Sequence, residues 1–401
     1  MFSFQRRNVL RAGAAASLAG LSPLAFSQGK EPIRIGILIP LTGATSQFGA
    51  TMSLAAKAAA EEINAAGGVN GRKVEVVIED DQSNPEAAVR AARKLIDIDK
   101  CVSIGGSYAS AVTSAIAPLC WEGKVVLETS SGADSITRLP HQGYVFRTSP
   151  TTSLQGTRVG DFAVELGAKR MFFMGPQAPF AQSYIDTISA IVAKSGGTGS
   201  GLIYEDKKAS YRSEVDQALR FKPDVIVFGG YVPDTAVVLK DLYRAGYDGR
   251  RIGLSFGVNQ KLIEAVPAEV CEGTYSLVPS AAEGSSAYKR LVAKLKVPGL
   301  DSYSCQVYDH VVMTALALAS APNAAPNGTT VRDHLRNVTQ SAQGKLVDSP
   351  ADGLKALAAG TTVNYDGASG PLEFADNGDV KGVFFRYEQA QKGALVVTKV
   401  A

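Results

Sequence analysis

Short β-branched runs alternate with amphipathic helical segments along this chain, and no other feature restricts the fold as strongly. Ile33–Ile39 is a β-rich run that ends at Pro40. Residues 51–66 carry apolar side chains at helical spacing and end at Gly67 and Gly68. Apolar strands separated by helices predict a parallel sheet covered on both faces. We therefore expect an α/β fold.

The alternation occurs in two successive units, at about 31–148 and 149–277. The predicted strands are 33–39, 74–78, 102–104, 125–127, 171–174, 202–204, 225–228 and 252–254; the helices are 51–66, one starting at Asn84, 110–120, 182–194, 213–220, 235–245 and 304–320. Residues 370–374 and 383–387 flank a turn at 376–379 and predict a hairpin. Each unit is a doubly wound sheet, and such sheets bind ligands at the carboxyl ends of their strands.

The length and the charge of the chain limit its domain organisation and exclude some classes of binding partner. A chain of 401 residues favours two domains over one. The net charge of +3 comes from three arginines among residues 1–27, and the remainder has as many bases as acids. A neutral body without a basic run argues against nucleic acid or an anionic membrane surface as partner.

The N-terminal 27 residues have the layout of a secretory signal. Arg6, Arg7 and Arg11 precede a small apolar stretch, and Ala25-Phe26-Ser27 offers small residues at both positions that flank a peptidase cut. The Arg6-Arg7 pair resembles the twin-arginine export pattern. We expect cleavage near Ser27 and a periplasmic mature protein.

Four stretches carry a resemblance to a known family. They are residues 35–43, which read IGILIPLTG; residues 62–72, which read EINAAGGVNGR; Glu79-Asp80-Asp81; and residues 370–379, which read GPLEFADNGD. Together they resemble the periplasmic leucine/isoleucine/valine-binding proteins, the type I solute-binding proteins of ABC importers. The resemblance implies two Rossmann-like α/β lobes joined by three crossover strands. It places lobe one at 31–147 plus 278–358 and lobe two at 148–277 plus 359–401.

Small hydroxyl residues are predicted to hold the carboxylate of a ligand. Ser110 and the loop Ser130-Ser131-Gly132 follow predicted strands and precede helix starts, where backbone N–H groups and the helix dipole favour an anion. The resemblance places the same residues at the family's carboxylate grip. Gly132 stands where the family often has threonine, so one side-chain contact is missing. The alternative is that these residues only cap helices.

Aromatic residues are predicted to close over the rest of the ligand. By resemblance, Phe48, Phe180 and Tyr231 occupy the family's aromatic cleft positions, and Tyr108 is expected to join them. Amino-acid-binding members use an acidic side chain at the position of Phe256 to hold the ammonium. The ligand is therefore expected to be an apolar or aromatic carboxylate, such as a 2-oxo acid or an aryl acid, unless Asp234 replaces the missing acid.

The resemblance implies a non-enzymatic capture protein, expected to be a monomer, whose closed form is recognised by a membrane permease. A ligand sensor of the same fold is the nearest alternative. A serine hydrolase is the different-class alternative, because Gly253-Leu254-Ser255-Phe256-Gly257 fits G-x-S-x-G and Asp309-His310 follows. The sequence has no metal-ligand spacing and no phosphate-binding glycine loop, so no metal or cofactor is expected.

The four cysteines are predicted to form local disulfides. Cys101 begins a predicted strand, and Cys120 ends the helix that returns from it. Cys271 and Cys305 are the second candidate pair, near the second crossover. Either bridge requires Cα atoms within about 7 Å of each other.

Overall fold

The structure is a computed structural model that describes residues 30–400, so the expected signal segment lies outside the described residues. The strands are β1 (Ile33–Ile39), β2 (Val74–Asp80), β3 (Ser103–Gly106), β4 (Val126–Thr129), β5 (Val145–Arg147), β6 (Arg170–Pro176), β7 (Thr198–Tyr204), β8 (Val225–Phe228), β9 (Arg250–Leu254), β10 (Tyr275–Ser280), β11 (Lys345–Val347), β12 (Val363–Tyr365), β13 (Phe384–Gln391) and β14 (Ala394–Val400).

The α-helices are α1 (Gly49–Ala65), α2 (Pro85–Arg93), α3 (Ser110–Glu122), α4 (Thr152–Glu165), α5 (Ala181–Lys194), α6 (Arg212–Arg220), α7 (Val232–Arg244), α8 (Gln260–Ala265), α9 (Ala268–Cys271), α10 (Ser286–Leu295), α11 (Ser302–Ala319), α12 (Gly328–Thr339) and α13 (Pro350–Ala358). A π-helical segment (Lys94–Ile98) continues α2, and a short 3₁₀-helix covers Ile136–Arg138. Within residues 30–400, no helix combines the length and the apolar character needed to cross a bilayer.

The first sheet has five parallel strands in the order β2-β1-β3-β4-β5. Its interior strand β1 is almost entirely buried, which fits its mainly apolar sequence. The predicted cap of α2 is confirmed, because the Asn84 side chain accepts a hydrogen bond from the Ala87 N–H at 2.8 Å and Pro85 opens the helix.

The second sheet has seven strands in the order β14-β13-β10-β9-β8-β6-β7. The pairs from β7 to β10 are parallel, whereas β13 runs antiparallel to both β10 and β14. The terminal hairpin β13–β14 therefore extends this sheet at one edge, and the doubly wound α/β fold predicted from the sequence is confirmed.

The chain passes between the two sheets three times. The passages follow β5, follow β10, and connect β12 with β13. Helix α11 is buried along its whole length, and it packs on α1, α12 and β3 beside the first sheet. Strand β12 pairs with β11, which precedes it on the same side of the third passage. This passage therefore lies after Tyr365, later than the boundary between lobe one and lobe two at 358/359 that the resemblance implied.

The predicted C-terminal hairpin is wrong in its pairing. Residues 376–379 do form a turn, closed by a bridge between Phe374 and Val380. However, Phe384–Gln391 pairs with β10 and β14 rather than with residues 370–374. Because β13 has a partner strand on each side, it has no open edge left for the short segment 370–374.

The predicted disulfides are absent from the described residues, since Cys101, Cys120, Cys271 and Cys305 are all free and buried. Cys271 and Cys305 lie in separate hydrophobic clusters, so their elements do not meet as the sequence suggested. Cys101 and Cys120 share one cluster and pack there as apolar side chains. Burial raises the pKa of both of these thiols to about 12, which disfavours the reactive thiolate.

Candidate functional site

Both sheets reverse their strand order beside the same cavity. In the first sheet the reversal lies between β1 and β3, and in the second between β6 and β8. The loops that follow these four strands lead into α1, α3, α5 and α7. The residues immediately before these helices are Phe48, Ala109, Phe180 and Tyr231, and none of them caps its helix with a side chain. The first-turn N–H groups of α3 therefore remain available to an anion.

The cavity between these loops has an empty volume of about 380 Å³ including its mouth, of which about 30 Å³ is open to the centre of a water molecule. The second of these volumes is well below the range for ligand sites, so a ligand enters only if the lining moves. It is lined by Tyr108, Ser110, Ser130, Gly132, Ser149, Thr152, Gln155, Phe180, Tyr184, Tyr231, Phe256 and Tyr303. Seven of the nine residues predicted from the sequence are among these, and Phe48 and Ser131 are not.

Hydroxyl groups occupy the side of the cavity next to α3. The Ser110 Oγ accepts a hydrogen bond from the Ala133 N–H at 3.3 Å, which leaves its own hydrogen free to donate. The Ser130 Oγ is buried and has no hydrogen-bond partner among the described residues. A buried polar group without a partner carries a desolvation cost that a ligand atom would relieve. Ser130 is therefore the residue most clearly prepared for a ligand.

The other two residues of the predicted loop have different roles. The Ser131 hydroxyl donates its one hydrogen within the protein, to the carbonyl oxygen of Ser107 or Tyr108 at 2.9 and 2.8 Å, and Ser131 does not line the cavity. A Cβ added at Gly132 would lie 3.0 Å from the Gln155 Nε2 and 3.4 Å from the Thr152 Oγ1. Glycine at position 132 thus lets α4 approach the cavity and bring its own polar side chains to the lining.

Aromatic rings form two clusters beside the cavity. The first ring cluster is Phe48, Tyr108 and Tyr303, with centroid separations of 4.7 to 5.0 Å. Phe48 supports the other two rings from behind. The second ring cluster is Phe180, Tyr231 and Phe256, with separations of 5.4 to 6.4 Å. The first belongs to loops and helices of the first sheet, and the second to loops of the second sheet.

The tyrosines of the cavity are neutral donors. Burial raises the pKa of Tyr108, Tyr184, Tyr231 and Tyr303 above the ordinary value for a phenol. Each therefore keeps its hydroxyl hydrogen at neutral pH. Together with the serines, Tyr108, Tyr231 and Tyr303 give the cavity hydrogen-bond donors without a formal charge, whereas the Tyr184 hydroxyl donates within the protein.

A family model described as "Periplasmic binding protein" matches residues 32–382. The chain belongs to the periplasmic binding protein family. Among its relatives, the leucine-, isoleucine-, valine-, threonine- and alanine-binding protein of Pseudomonas aeruginosa is 27% identical over 387 residues, covering 95% of each chain. The fold and the resemblance predicted from the sequence are confirmed.

Solved structures of this fold superpose over nearly the whole described chain. The leucine-binding protein LivK from Thermotoga maritima MSB8 gives a TM-score of 0.77 at 23% identity, covering 92% of this chain and 98% of that one. An ABC transporter solute-binding protein from R. palustris in complex with benzoate gives 0.71 at 18% identity, covering 92% and 96%. These similarities establish the shared fold.

Sequence reasoning missed five residues that line the cavity of this periplasmic binding protein: Ser149, Thr152, Gln155, Tyr184 and Tyr303. Thr152 and Gln155 lie on α4, which the sequence analysis did not predict. The Tyr184 hydroxyl donates to the Gln155 Oε1 at 3.0 Å and fixes the amide. The sequence signal that could have revealed α4 was Thr151, which directly follows Pro150. Its side chain caps the helix by accepting a hydrogen bond from the Leu154 N–H at 3.1 Å.

In this periplasmic binding protein, Ser255, Asp309 and His310 do not have the arrangement that the serine hydrolase alternative requires. The Ser255 Oγ pairs with the Tyr303 hydroxyl at 3.3 Å. The Asp309 carboxylate accepts from the Tyr365 hydroxyl and from Ala368 and Ser369, whereas the His310 ring contacts Gly106 and Thr148. The serine, aspartate and histidine thus have separate sets of partners, and no triad forms.

Proposed function

We propose that this protein is the extracytoplasmic solute-binding component of an ABC importer and captures a small carboxylate ligand between two lobes. Lobe one is taken as 31–147 with the segment from 278 to the third passage after Tyr365, and lobe two as 148–277 with the strands β13 and β14. The observation that carries the proposal is the buried, unpartnered Ser130 hydroxyl in a cavity between the reversal points of both sheets. A site made by loops from two sheets is suited to capture by closure.

The relatives support this function. The Pseudomonas aeruginosa protein is named for five amino acids, and the R. palustris structure contains benzoate. All six of these ligands carry a carboxylate. We infer that the carboxylate is the group that the present cavity recognises, at Ser110, Ser130 and the N-terminus of α3.

Capture requires no covalent step. Ligand enters the open cleft, and lobe one holds its carboxylate through neutral donors and the α3 dipole. Lobe two then closes its ring cluster over the apolar part. Because only the closed form contacts the ligand on both sides, ligand shifts the population toward closure. The closed form is then recognised by a membrane permease, and the protein acts as a monomer.

The test uses mature protein freed of bound solute by unfolding and refolding. Benzoate, phenylpyruvate, 4-methyl-2-oxopentanoate, leucine and phenylalanine are screened for an increase in melting temperature, since a ligand that binds only the folded state stabilises it. Small-angle scattering then compares the radius of gyration with and without the best ligand. We expect a smaller radius with ligand, and an unchanged radius at saturation would contradict capture by closure.

Export is tested separately, because the signal lies outside the described residues. Replacing Arg6 and Arg7 together with lysine is expected to retain precursor inside the cell, while the wild-type protein reaches the periplasm with its N-terminus near Gln28. N-terminal sequencing of the periplasmic fraction measures this. An intact Met1 on periplasmic protein would refute the proposed cleavage.

A further inference from the structure

The two ring clusters border the same cavity from opposite parts of the fold. Tyr108 and Tyr303 of the first ring cluster and all three rings of the second line it. Within each cluster the centroids lie 4.7 to 6.4 Å apart, which is the range of favourable aromatic contact. A flat aromatic group placed between the clusters gains ring contacts on both sides.

No residue that lines the cavity carries a formal charge. Serine, threonine and tyrosine hydroxyls with one glutamine amide form its polar part. These groups hydrogen-bond a carboxylate well, and the α3 dipole favours its charge. An ammonium would find only neutral oxygen acceptors and ring faces here, and without a paired carboxylate these leave most of its desolvation cost uncompensated.

Two acidic side chains that lie within three residues of the lining in the sequence have other partners. The Asp234 carboxylate accepts from the Lys207 N–H at 2.9 Å and the Tyr211 hydroxyl at 2.7 Å, so it is held away from the cavity. The Asp301 carboxylate caps α11 through the Ser304 N–H and hydroxyl, at 2.9 and 2.7 Å. The alternative in which Asp234 replaces the missing acid would require breaking both of its bonds.

Asp81 and Asp134 are the exceptions that the test must address. The Asp81 Oδ2 is buried without a partner among the described residues, and burial together with the Asp81 charge raises the pKa of the lining residue Tyr231. The Asp134 Oδ1 accepts a long bond of 3.4 Å from the Ser153 N–H, and the Asp134 Oδ2 is likewise buried without a partner among the described residues. Asp134 lies two residues after Gly132 but is not part of the lining. If this loop turned, Asp134 would be the acid to meet an ammonium.

From these observations we propose that the cavity selects an aromatic carboxylate that lacks an amino group. The carboxylate lies at Ser110 and Ser130, and the ring lies between the two ring clusters. This inference rests on the proposed function and specifies its ligand. It also distinguishes the protein from the amino-acid-binding proteins to which it is related.

The first experiment compares matched ligands by isothermal titration calorimetry on the refolded mature protein. The pairs are phenylpyruvate and 3-phenylpropanoate against phenylalanine, and 4-methyl-2-oxopentanoate against leucine, with benzoate added. We expect the aromatic acids without an amino group to bind at least about tenfold more tightly than phenylalanine, because an unpaired buried ammonium costs more than one hydrogen bond. Benzylamine, which has the ring but no carboxylate, should not bind.

The second experiment introduces the missing acid. Phe256→Glu places a carboxylate at the cavity, and Phe256→Gln is the neutral control of equal length. We expect Phe256→Glu to improve the binding of phenylalanine relative to 3-phenylpropanoate by about 10- to 100-fold over Phe256→Gln, the value of a hydrogen bond to a charged group. Circular dichroism of both variants establishes that they fold.

The outcomes separate this inference from the proposed function. If the amino acids bind more tightly than every deaminated analogue and still close the lobes, the ligand class is wrong and the proposed function stands. Asp134→Asn would then abolish that preference if Asp134 holds the ammonium. If no carboxylate binds, both are wrong. Equal ratios in Phe256→Glu and Phe256→Gln would show that position 256 does not meet the ligand's amino group.

Discussion

Ser110 and Ser131 belong to the same polar region beside α3, but their hydroxyl hydrogens go to different places. That of Ser131 is donated within the protein, whereas that of Ser110 is free to donate into the cavity. We predict that Ser110→Ala weakens binding of the tightest carboxylate ligand by roughly 1.5–3 kcal/mol, the contribution of one hydrogen bond to a charged group. Calorimetric titration measures the change.

Ser131→Ala is the matched control for that substitution. It removes bonds to the carbonyl oxygens of Ser107 and Tyr108 and leaves the cavity lining unchanged. Its melting temperature should fall while its dissociation constant stays near that of the wild type. If only Ser131→Ala lost affinity, Ser110 would not be the residue that anchors the carboxylate.

Asp81 and Asp80 are adjacent acids with opposite pKa shifts. Asp81 is fully buried and its Oδ2 has no partner among the described residues. Burial therefore raises its pKa from 3.8 to about 6. Burial alone would also raise the pKa of Asp80. Hydrogen bonds from Thr42, Gln82 and Leu41 outweigh burial, however, so the pKa of Asp80 is lowered.

These shifts predict opposite pH dependences for two conservative variants. The raised pKa means that Asp81 destabilises the fold increasingly as pH rises from about 4 to 6, so Asp81→Asn should gain stability over the wild type across that interval, by roughly 2–3 kcal/mol. Asp80→Asn should lose stability at neutral pH, and the loss should shrink as pH falls. Urea unfolding at several pH values checks both, and parallel curves for Asp81→Asn and wild type would refute the burial argument.

At the scale of elements, Arg147 connects the loop 130–133, which is proposed to hold the ligand's carboxylate, with two of the passages between the sheets. It ends β5 and is fully buried. Its guanidinium donates to the Ala133 carbonyl at 2.6 Å, to the Thr137 hydroxyl at 2.7 Å and to the Asp379 carboxylate at 2.8 Å. One side chain thus fixes the end of the 130–133 loop, the start of the first passage and the turn in the third.

We predict that Asp379→Asn lowers the free energy of unfolding by about 2–4 kcal/mol, because it leaves the buried guanidinium without its counter-charge. Carboxylate binding should weaken as well, since the loop at Ala133 loses its fixed support. Urea unfolding and titration give the two values. Asp376→Asn, an exposed acid of the same turn, should change neither, and equal effects from both variants would exclude a specific role for the ion pair.

The sequence predicted most elements because their signals are local. Ile33–Ile39 was predicted with its observed limits, and Asn84 with Pro85 marked the start of α2 correctly. Helix α4 was not predicted, because its glycines and threonines interrupt the apolar spacing. The pairing of Phe384–Gln391 with β10 joins segments about one hundred residues apart, and no local pattern specifies such a partner.

The lining of the candidate cavity was predictable to the extent that it depends on residues next to strand ends. Tyr108, Ser110 and Tyr231 follow predicted strands and line the cavity. Tyr303 lies at the start of a helix that reaches the cavity only through packing of the whole molecule. Phe48 was expected to contact ligand, yet it lies behind Tyr108 at 4.9 Å, a difference that only the packed fold specifies.

At the scale of the whole molecule, direct contacts already link the two sides of the cavity. The Gln47 side-chain amide donates to the Phe256 carbonyl at 3.4 Å, and the Ser255 and Tyr303 hydroxyls are 3.3 Å apart. The described structure thus has the cleft closed, consistent with the small volume of the cavity. Such contacts stabilise the closed state alone and therefore adjust affinity without touching ligand.

Gln47→Ala should accordingly weaken binding although Gln47 does not line the cavity. One long neutral hydrogen bond contributes about 0.5–1 kcal/mol, so the dissociation constant should rise roughly two- to fivefold. The rise should appear mainly in the dissociation rate, measured by stopped-flow fluorescence of Trp121 and the tyrosines, because the open form that receives ligand is unchanged. Gln182→Ala is the control, since its bond to Asp186 lies within α5. Equal dissociation rates in Gln47→Ala and wild type would show that this contact forms no part of closure.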